Sequence, residues 1–386
     1  MIQLDRLVQF AMKIAIVRGK YLNKYEMQYY EPLVRKHKLV GFGSLSPIHD
    51  KFAFPVVKLP SPMDLPNFPY KMPILNRLFV DAQYLLGLEG KLRGFDIAHS
   101  AETYMHFTQQ CLNAKKRGDV KKVVVTVSEN IPFANEGIWG RKKFKKRALE
   151  EVDHFIAISQ RAKEALILEG CPEEKITVIG HHVDTKKFSP GFKLQASGFK
   201  PLNILFVGRM EWSKGVYEVI FSAKKLLTDP ELKNYSLNFT LVGEGGEKKR
   251  IFDLEKRLGI EKWLVHKAVP YEKMPQEYQK ADIFLAPSLI TRHWQEQFGM
   301  VLIEAMACGL PIVTTLSGAI EEVVGEAAVK VQPGDFFSLT RAIKNFILNP
   351  KARREYGKKA RERAVKYFDI EIGAKKLEGV YKNVLR

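Results

Sequence analysis

Cysteine is scarce in this chain: Cys111, Cys171 and Cys308 are the only ones in 386 residues. None stands at a paired or metal-ligand spacing. That excludes a disulfide framework and a zinc ribbon, and reduced thiols in a cytoplasmic protein are expected. Long apolar runs are missing as well. No stretch reaches the roughly 18 uncharged apolar residues of a membrane span. The first segment, Met1 to Val17, is broken by Asp5, Arg6 and Lys13 and lacks the architecture of a signal peptide. Acidic residues are in deficit: 43 Asp and Glu face 62 Lys and Arg, a formal charge of +19. That balance attracts anions, whether nucleotides, nucleic acid or acidic lipid. The charge comes without an aromatic stacking platform, a zinc finger or a recognition helix, so no specific nucleic acid is expected as a partner.

The chain is long enough for two domains. Apolar, β-branched runs alternate with helical stretches. One series is Lys13–Val17, Phe54–Lys58, Asp96–His99, Val123–Val127, Phe155–Ser159 and Ile176–Ile179. A second is Ile204–Val207, Phe239–Val242, Trp263–His266, Ile283–Ala286, Ile312–Thr315 and Ala328–Val331. Continuous apolar strands separated by helices indicate parallel sheets covered on both faces. The expected fold is therefore α/β, with two Rossmann-like doubly wound domains facing across a cleft. Ligands would sit at the carboxyl ends of the strands. The boundary is expected in the polar, Gly- and Pro-bearing run Ser189 to Pro201, giving a first domain over 1–190 and a second over 191–367.

The run from Glu296 to Pro311 is the most informative. Glu296 lies just before Gly299, Glu304 lies about one turn inside an apolar helix, and Gly309-Leu310-Pro311 stops that helix. A helix N-terminus presents free N–H groups and a partial positive charge. A phosphate on the N–H groups near Gly299, Met300 and Val301, with a carboxylate on either side for sugar hydroxyls, describes a nucleotide-sugar site. A cap on one side and a solvated helix face on the other is the alternative that this motif alone leaves open. Arg209 and Lys214 follow a buried strand on one turn, so both can meet one anion.

This pattern resembles the E-x7-E signature of glycosyltransferase family 4, retaining enzymes of the GT-B fold. Three further blocks agree in order. Asn203 to Gly215, with Gly208, Arg209, Lys214 and Gly215, is similar to the family's strand-G-R-x4-K-G segment. Phe239 to Gly245 is similar to its strand-G-x-G turn at Gly243. Phe155 to Ser159 and Val178 to Phe188 are similar to the end of its first domain. The blocks cover roughly residues 150 to 340 and are specific as a set. The resemblance implies transfer of a hexose from a UDP- or GDP-sugar to a lipid-linked or sugar acceptor with retention at the anomeric carbon. It implies donor binding by Gly19, Gly208, Arg209, Lys214, Gly243, Glu296, Phe298, Gly299, Met300, Val301 and Glu304. Glu296 would take the sugar hydroxyls and Glu304 the ribose. It also implies that the last helix, 368–386, packs back on the first domain.

The chain departs from the family in its first half. Only Gly19 stands where a glycine-rich turn is usual. After His99 the sequence reads Ser100-Ala101-Glu102, so the second His of a His-x-His pair is absent. Glu102 or Glu129 is expected to orient the acceptor hydroxyl in its place. No metal-binding Asp-x-Asp lies at a strand end, two cations and a helix dipole can replace a metal, and no cofactor is expected. The run Arg141 to Arg147 is either a solvated helix face or a patch for anionic headgroups, which would make the protein peripherally membrane-associated. Two other readings remain: another GT-B enzyme (a glycogen or starch synthase-like transferase, or a nucleotide-sugar epimerase), and a non-catalytic basic protein binding anions or RNA.

Overall fold

A computed structural model describes residues 12–191 and 201–386. The start of the N-terminal segment and residues 192–200 of the expected linker lie outside the described residues. The chain divides into two compact units, Met1–Gly180 with Gly373–Arg386, and His181–Ile372.

The first unit carries a seven-stranded sheet: β1 (Lys13–Gly19), β2 (Lys38–Gly43), β3 (Val56–Lys58), β4 (Phe95–Ala101), β5 (Val120–Val127), β6 (His154–Ala157) and β7 (Ile176–Val178). The order is β3-β2-β1-β4-β5-β6-β7, and every pairing is parallel. β1 is buried at every residue after Lys13, because helices cover both faces of a parallel sheet. β2 has no counterpart in the sequence reading. Its run Lys38-Leu39-Val40-Gly41-Phe42-Gly43 is short and interrupted by glycine. Gly41 packs closely there, where a Cβ would lie 3.1 Å from the Phe54 ring.

The second unit carries six parallel strands: β8 (Leu202–Val207), β9 (Leu237–Val242), β10 (Leu264–Lys267), β11 (Ile283–Ala286), β12 (Ile312–Thr315) and β13 (Ala328–Val331), in the order β10-β9-β8-β11-β12-β13. Each sheet reverses its strand order once, between β1 and β4 and between β8 and β11. Those reversals are where a doubly wound sheet opens a crevice at the carboxyl ends of its strands.

The segment after Gly180 belongs with the second unit rather than the first. Val183 N–H donates to the Phe368 carbonyl at 2.8 Å. Phe188 packs on Tyr271 and Tyr278, with ring centroids 5.6 and 6.0 Å apart. The final helix, Ile370–Leu385, buries Leu377 and Tyr381, and the Tyr381 hydroxyl stands 2.6 Å from His99 Nδ1 on β4.

Candidate functional site

The second unit assembles its polar residues around the β8/β11 reversal. β8 runs out into Gly208, whose N–H donates to the Val242 carbonyl at 3.0 Å. Gly243 follows β9 with φ +146°, and a Cβ there would fall 1.9 Å from the Gly208 carbonyl oxygen. Only glycine lets the two strand exits lie this close. Arg209 then leaves the strand end. Its guanidinium is mostly exposed and reaches Glu211 at 3.0 Å.

Lys214 ends a single 3-10 turn, Trp212–Lys214. Its ammonium lies 2.8 Å from Glu296 Oε2 and 4.4 Å from the centre of the Trp294 ring. Ser288, just past β11, donates its hydroxyl to the same Glu296 oxygen at 2.7 Å. The Glu296 backbone is fixed as well. Its carbonyl accepts the Ala319 N–H at 2.9 Å, and Gly318 is packed so tightly that a Cβ would lie 1.9 Å from that carbonyl oxygen. Glu296 and Lys214 are thus a part-buried ion pair clamped from three strand ends.

Gly299 follows with φ +91° and opens the helix Met300–Ala307. The N–H groups of Met300 and Val301 stand at its open end. Phe298 is buried, with the His181 ring edge-on at 5.2 Å. The helix stops at Gly309, in the left-handed region, where Leu310 N–H returns to the Ala305 carbonyl.

Glu304 lies inside the helix Met300–Ala307. It is only 3% exposed. Tyr271 donates its phenol to one carboxylate oxygen at 2.6 Å, and Tyr278 donates to the other at 2.7 Å. Burial pushes this carboxyl up to about 7, against the lowering effect of the two phenols and of Lys187. The two glutamates of the signature have separate sets of protein partners.

The first unit has its own acidic cluster, at the ends of β4 and β5. Glu102 has φ +56°, a strained conformation for a residue with a Cβ. Its Oε1 accepts the Ser128 N–H at 2.8 Å, while its Oε2 is buried with no hydrogen-bond partner. Burial pushes the Glu102 carboxyl up to about 7, and neighbouring Glu129 adds to the rise. Glu129 is spent within its own loop. It accepts the N–H groups of Asn130 and Ile131 and the amide of Asn135 at 3.0, 3.1 and 3.1 Å. Gly19 ends β1 at φ +53°, with the Gln83 side chain where a Cβ would go. His99 is fully buried, its Nε2 2.7 Å from the Thr126 hydroxyl.

The basic run Arg141 to Arg147 is not one open patch. Arg141 is buried on Asp81 at 2.8 Å, and Lys145 is buried on Glu169 at 2.6 Å. Lys142, Lys143 and Lys146 remain exposed. Among the described residues, no group of three or more His, Cys, Asp or Glu could hold a metal ion. Among them too, no helix is long and apolar enough to cross a membrane. Ser288, Trp294, Gly318, Tyr271 and Tyr278 were not singled out in the sequence. Ser288 and Gly318 are signalled only by position just past a strand and Trp294 by nearness to Glu296, while Tyr271 and Tyr278 carry no local signal.

Two family models match the chain in tandem: "Glycosyltransferase Family 4" over residues 43–187 and "Glycosyl transferases group 1" over residues 193–363. The chain belongs to glycosyltransferase family 4. The two parallel-sheet units give it the GT-B fold of that family. A capsular polysaccharide biosynthesis glycosyltransferase, CapM of Staphylococcus aureus, is 29% identical over 65% of this chain and 68% of its own length. The glycogen synthase of Mycobacterium tuberculosis (strain CDC 1551 / Oshkosh) is 28% identical over 60% of this chain, which spans 55% of that relative's length. The solved structure of Anabaena Alr3699/HepE in complex with UDP superposes with a TM-score of 0.76, at 18% identity, over 96% of this chain and all of that one. This family 4 chain therefore shares its fold with structures far from it in sequence.

Proposed function

We propose that this chain is a retaining hexosyltransferase that uses a nucleotide diphosphate sugar. The observation that carries the reading is the Lys214–Glu296 pair at the β8/β11 reversal, beside the open end of the helix Met300–Ala307. A leaving diphosphate carries about two negative charges at the moment of bond breaking. Lys214, Arg209 and the N–H groups of Met300 and Val301 would hold that charge, each charge-assisted bond contributing about 1.5–3 kcal/mol. When the ammonium turns to phosphate, Glu296 is released to accept sugar hydroxyls, with Ser288 keeping it in place. Gly208 and Gly243 let the backbone come close to the nucleotide, and Phe298 and Gly299 fix the entry of the helix. Stabilising the diphosphate on the face where the acceptor attacks gives front-face displacement and retention, without a protein nucleophile or a metal.

Glu304 would take the ribose while Tyr271 and Tyr278 hold it, since each of its oxygens accepts one phenol and keeps a further lone pair. In the first unit, Glu102 rather than Glu129 suits the acceptor, because one buried oxygen still lacks a donor. UDP-sugars are the donors to try first, since HepE was solved with UDP. GDP-mannose follows as the second donor. The acceptor is a glycan or a glycolipid at the cytoplasmic membrane face. Similarity to glycogen synthase keeps a soluble polysaccharide as the second reading.

The test is a donor panel with mass detection. Purified protein is incubated with UDP- and GDP-sugars, with and without EDTA, and release of nucleotide and sugar is followed. Release from one donor, unaffected by EDTA and lost in Arg209→Ala and Lys214→Ala, is expected. No turnover of any donor and no nucleotide-induced shift in melting temperature would place the chain among non-catalytic anion binders.

A further inference from the structure

Tryptophan is rare in this chain, and Trp212, Trp263 and Trp294 all lie in the second unit. Trp263 packs against the apolar core of that unit. Trp294 is placed otherwise. It stands in the loop between β11 and the helix Met300–Ala307, half-buried, with the Lys214 ammonium 4.4 Å from its ring centre. Trp212, on the same turn as Lys214, is exposed. A large apolar ring held against an ion pair gives up burial that the core would have provided.

The loop is built to keep the ring there. Leu289 N–H donates to the Ser213 carbonyl at 2.8 Å, and the Ser317 hydroxyl donates to the Leu289 carbonyl at 3.0 Å. The loop thus starts out tied to the Lys214 turn and to the turn after β12. Thr291 then closes it. Its N–H and its hydroxyl both donate to the Trp294 carbonyl, at 2.8 and 3.2 Å, and its hydroxyl oxygen accepts the His293 N–H at 3.2 Å. On the far side, Glu296 N–H donates to the Ser317 hydroxyl at 3.3 Å. Arg292 and His293 at the tip are exposed, so the loop leaves its polar side chains to water and holds its indole at the ion pair.

The face of an aromatic ring carries partial negative charge and attracts an ammonium. In the free chain Lys214 is held by the Glu296 carboxylate at 2.8 Å and by the Trp294 face together. A diphosphate draws the ammonium away, because a charge-assisted bond to phosphate outweighs a cation–π contact in a part-exposed site. The indole face is then free for the next group along the donor. That group is the hexose bonded to the phosphate that Lys214 holds. A hexose has hydroxyls around its rim and C–H groups on its faces. The rim suits a carboxylate acceptor such as Glu296, and the C–H face suits an apolar ring. Both lie within a few ångströms of one ammonium, so one sugar can meet both.

We infer that Trp294 is a specificity-determining residue of the donor site, whose indole face stacks on the C–H face of the donor hexose while Glu296 takes the hydroxyls. The inference rests on the donor reading above and names the residue that reads the sugar rather than the nucleotide. It has a consequence that a purely structural tryptophan would lack. Removing the ring takes a contact from the sugar and, at the same time, frees Lys214 from a competitor for phosphate. Affinity for the sugar nucleotide and affinity for the bare diphosphate therefore separate.

The experiment is calorimetric titration of the full chain with UDP-glucose, UDP-N-acetylglucosamine and GDP-mannose, and with UDP and GDP, following the donor that wild type binds most tightly. The ratio of donor affinity to parent-diphosphate affinity should fall at least about threefold in Trp294→Ala. Affinity for the parent diphosphate should stay the same or rise. Trp294→Phe keeps an aromatic face and should retain most of the ratio. Tryptophan emission gives a second readout: the change that donor causes beyond that of its parent diphosphate should persist in Trp212→Phe and vanish in Trp294→Phe. A ratio unchanged in Trp294→Ala would overturn the stacking while leaving the donor site intact. Donor and parent diphosphate weakened together would also overturn it, since the ring would then only shape the loop. Wild type that binds no diphosphate and no donor would remove the donor reading, and this inference with it.

Discussion

Each signature carboxylate acts through a different environment. Glu296 is paired with an ammonium, whereas Glu304 is buried between two phenols. The second arrangement has a consequence for stability. Between the ordinary carboxyl value and about 7, the folded chain holds a proton on Glu304 that the unfolded chain has lost. The contribution of this site is therefore present at low pH and fades as pH rises through that window, by about 3 kcal/mol in all. Glu304→Gln stays neutral throughout. Its denaturant midpoint should fall less than that of wild type between about pH 5 and pH 8. Equal slopes in the two proteins would mean that Glu304 is ionised in the fold. Lys214→Ala should lower kcat/KM for the donor by about 10- to 100-fold, read by initial rates, because one charge-assisted bond to the leaving diphosphate is gone. A change in KM for the acceptor alone would count against that role.

The elements that position these residues were only partly legible in the sequence. β1 and β8 announce themselves as apolar runs ending in glycine, and the helix Met300–Ala307 is bracketed by Gly299 and Gly309. β2 was hidden because its two glycines, Gly41 and Gly43, interrupt the apolar, β-branched signal. Buried partners were hidden by distance. Tyr271 and Tyr278 stand 33 and 26 positions before Glu304. Arg141 and Lys145 look like open surface until Asp81 and Glu169, 60 and 24 positions away, fold against them. At this scale the turn after β12 is the most exacting piece. Gly318→Ala puts a methyl into the Glu296 carbonyl and demands φ +55° of an alanine. It should cost about 1–3 kcal/mol in chemical denaturation. It should also weaken nucleotide binding, by moving Glu296 off Lys214. Loss of stability with unchanged nucleotide affinity would show that the turn does not govern the site.

Over the whole molecule, the Lys214–Glu296 pair stands in one Rossmann-like unit and the Glu102 cluster in the other. A net charge of +19 favours any anion at long range, so affinity for nucleotide by itself would not identify the site. Dependence on the second phosphate would. The most direct measurement is calorimetric titration of UDP, GDP, UMP and GMP into wild type and Lys214→Ala at one ionic strength. The expected result is one diphosphate binding at least about tenfold tighter than its monophosphate, with the difference erased in Lys214→Ala. Equal affinity for diphosphate and monophosphate in wild type, or a difference that survives in Lys214→Ala, would contradict a donor site built on Lys214 and Glu296.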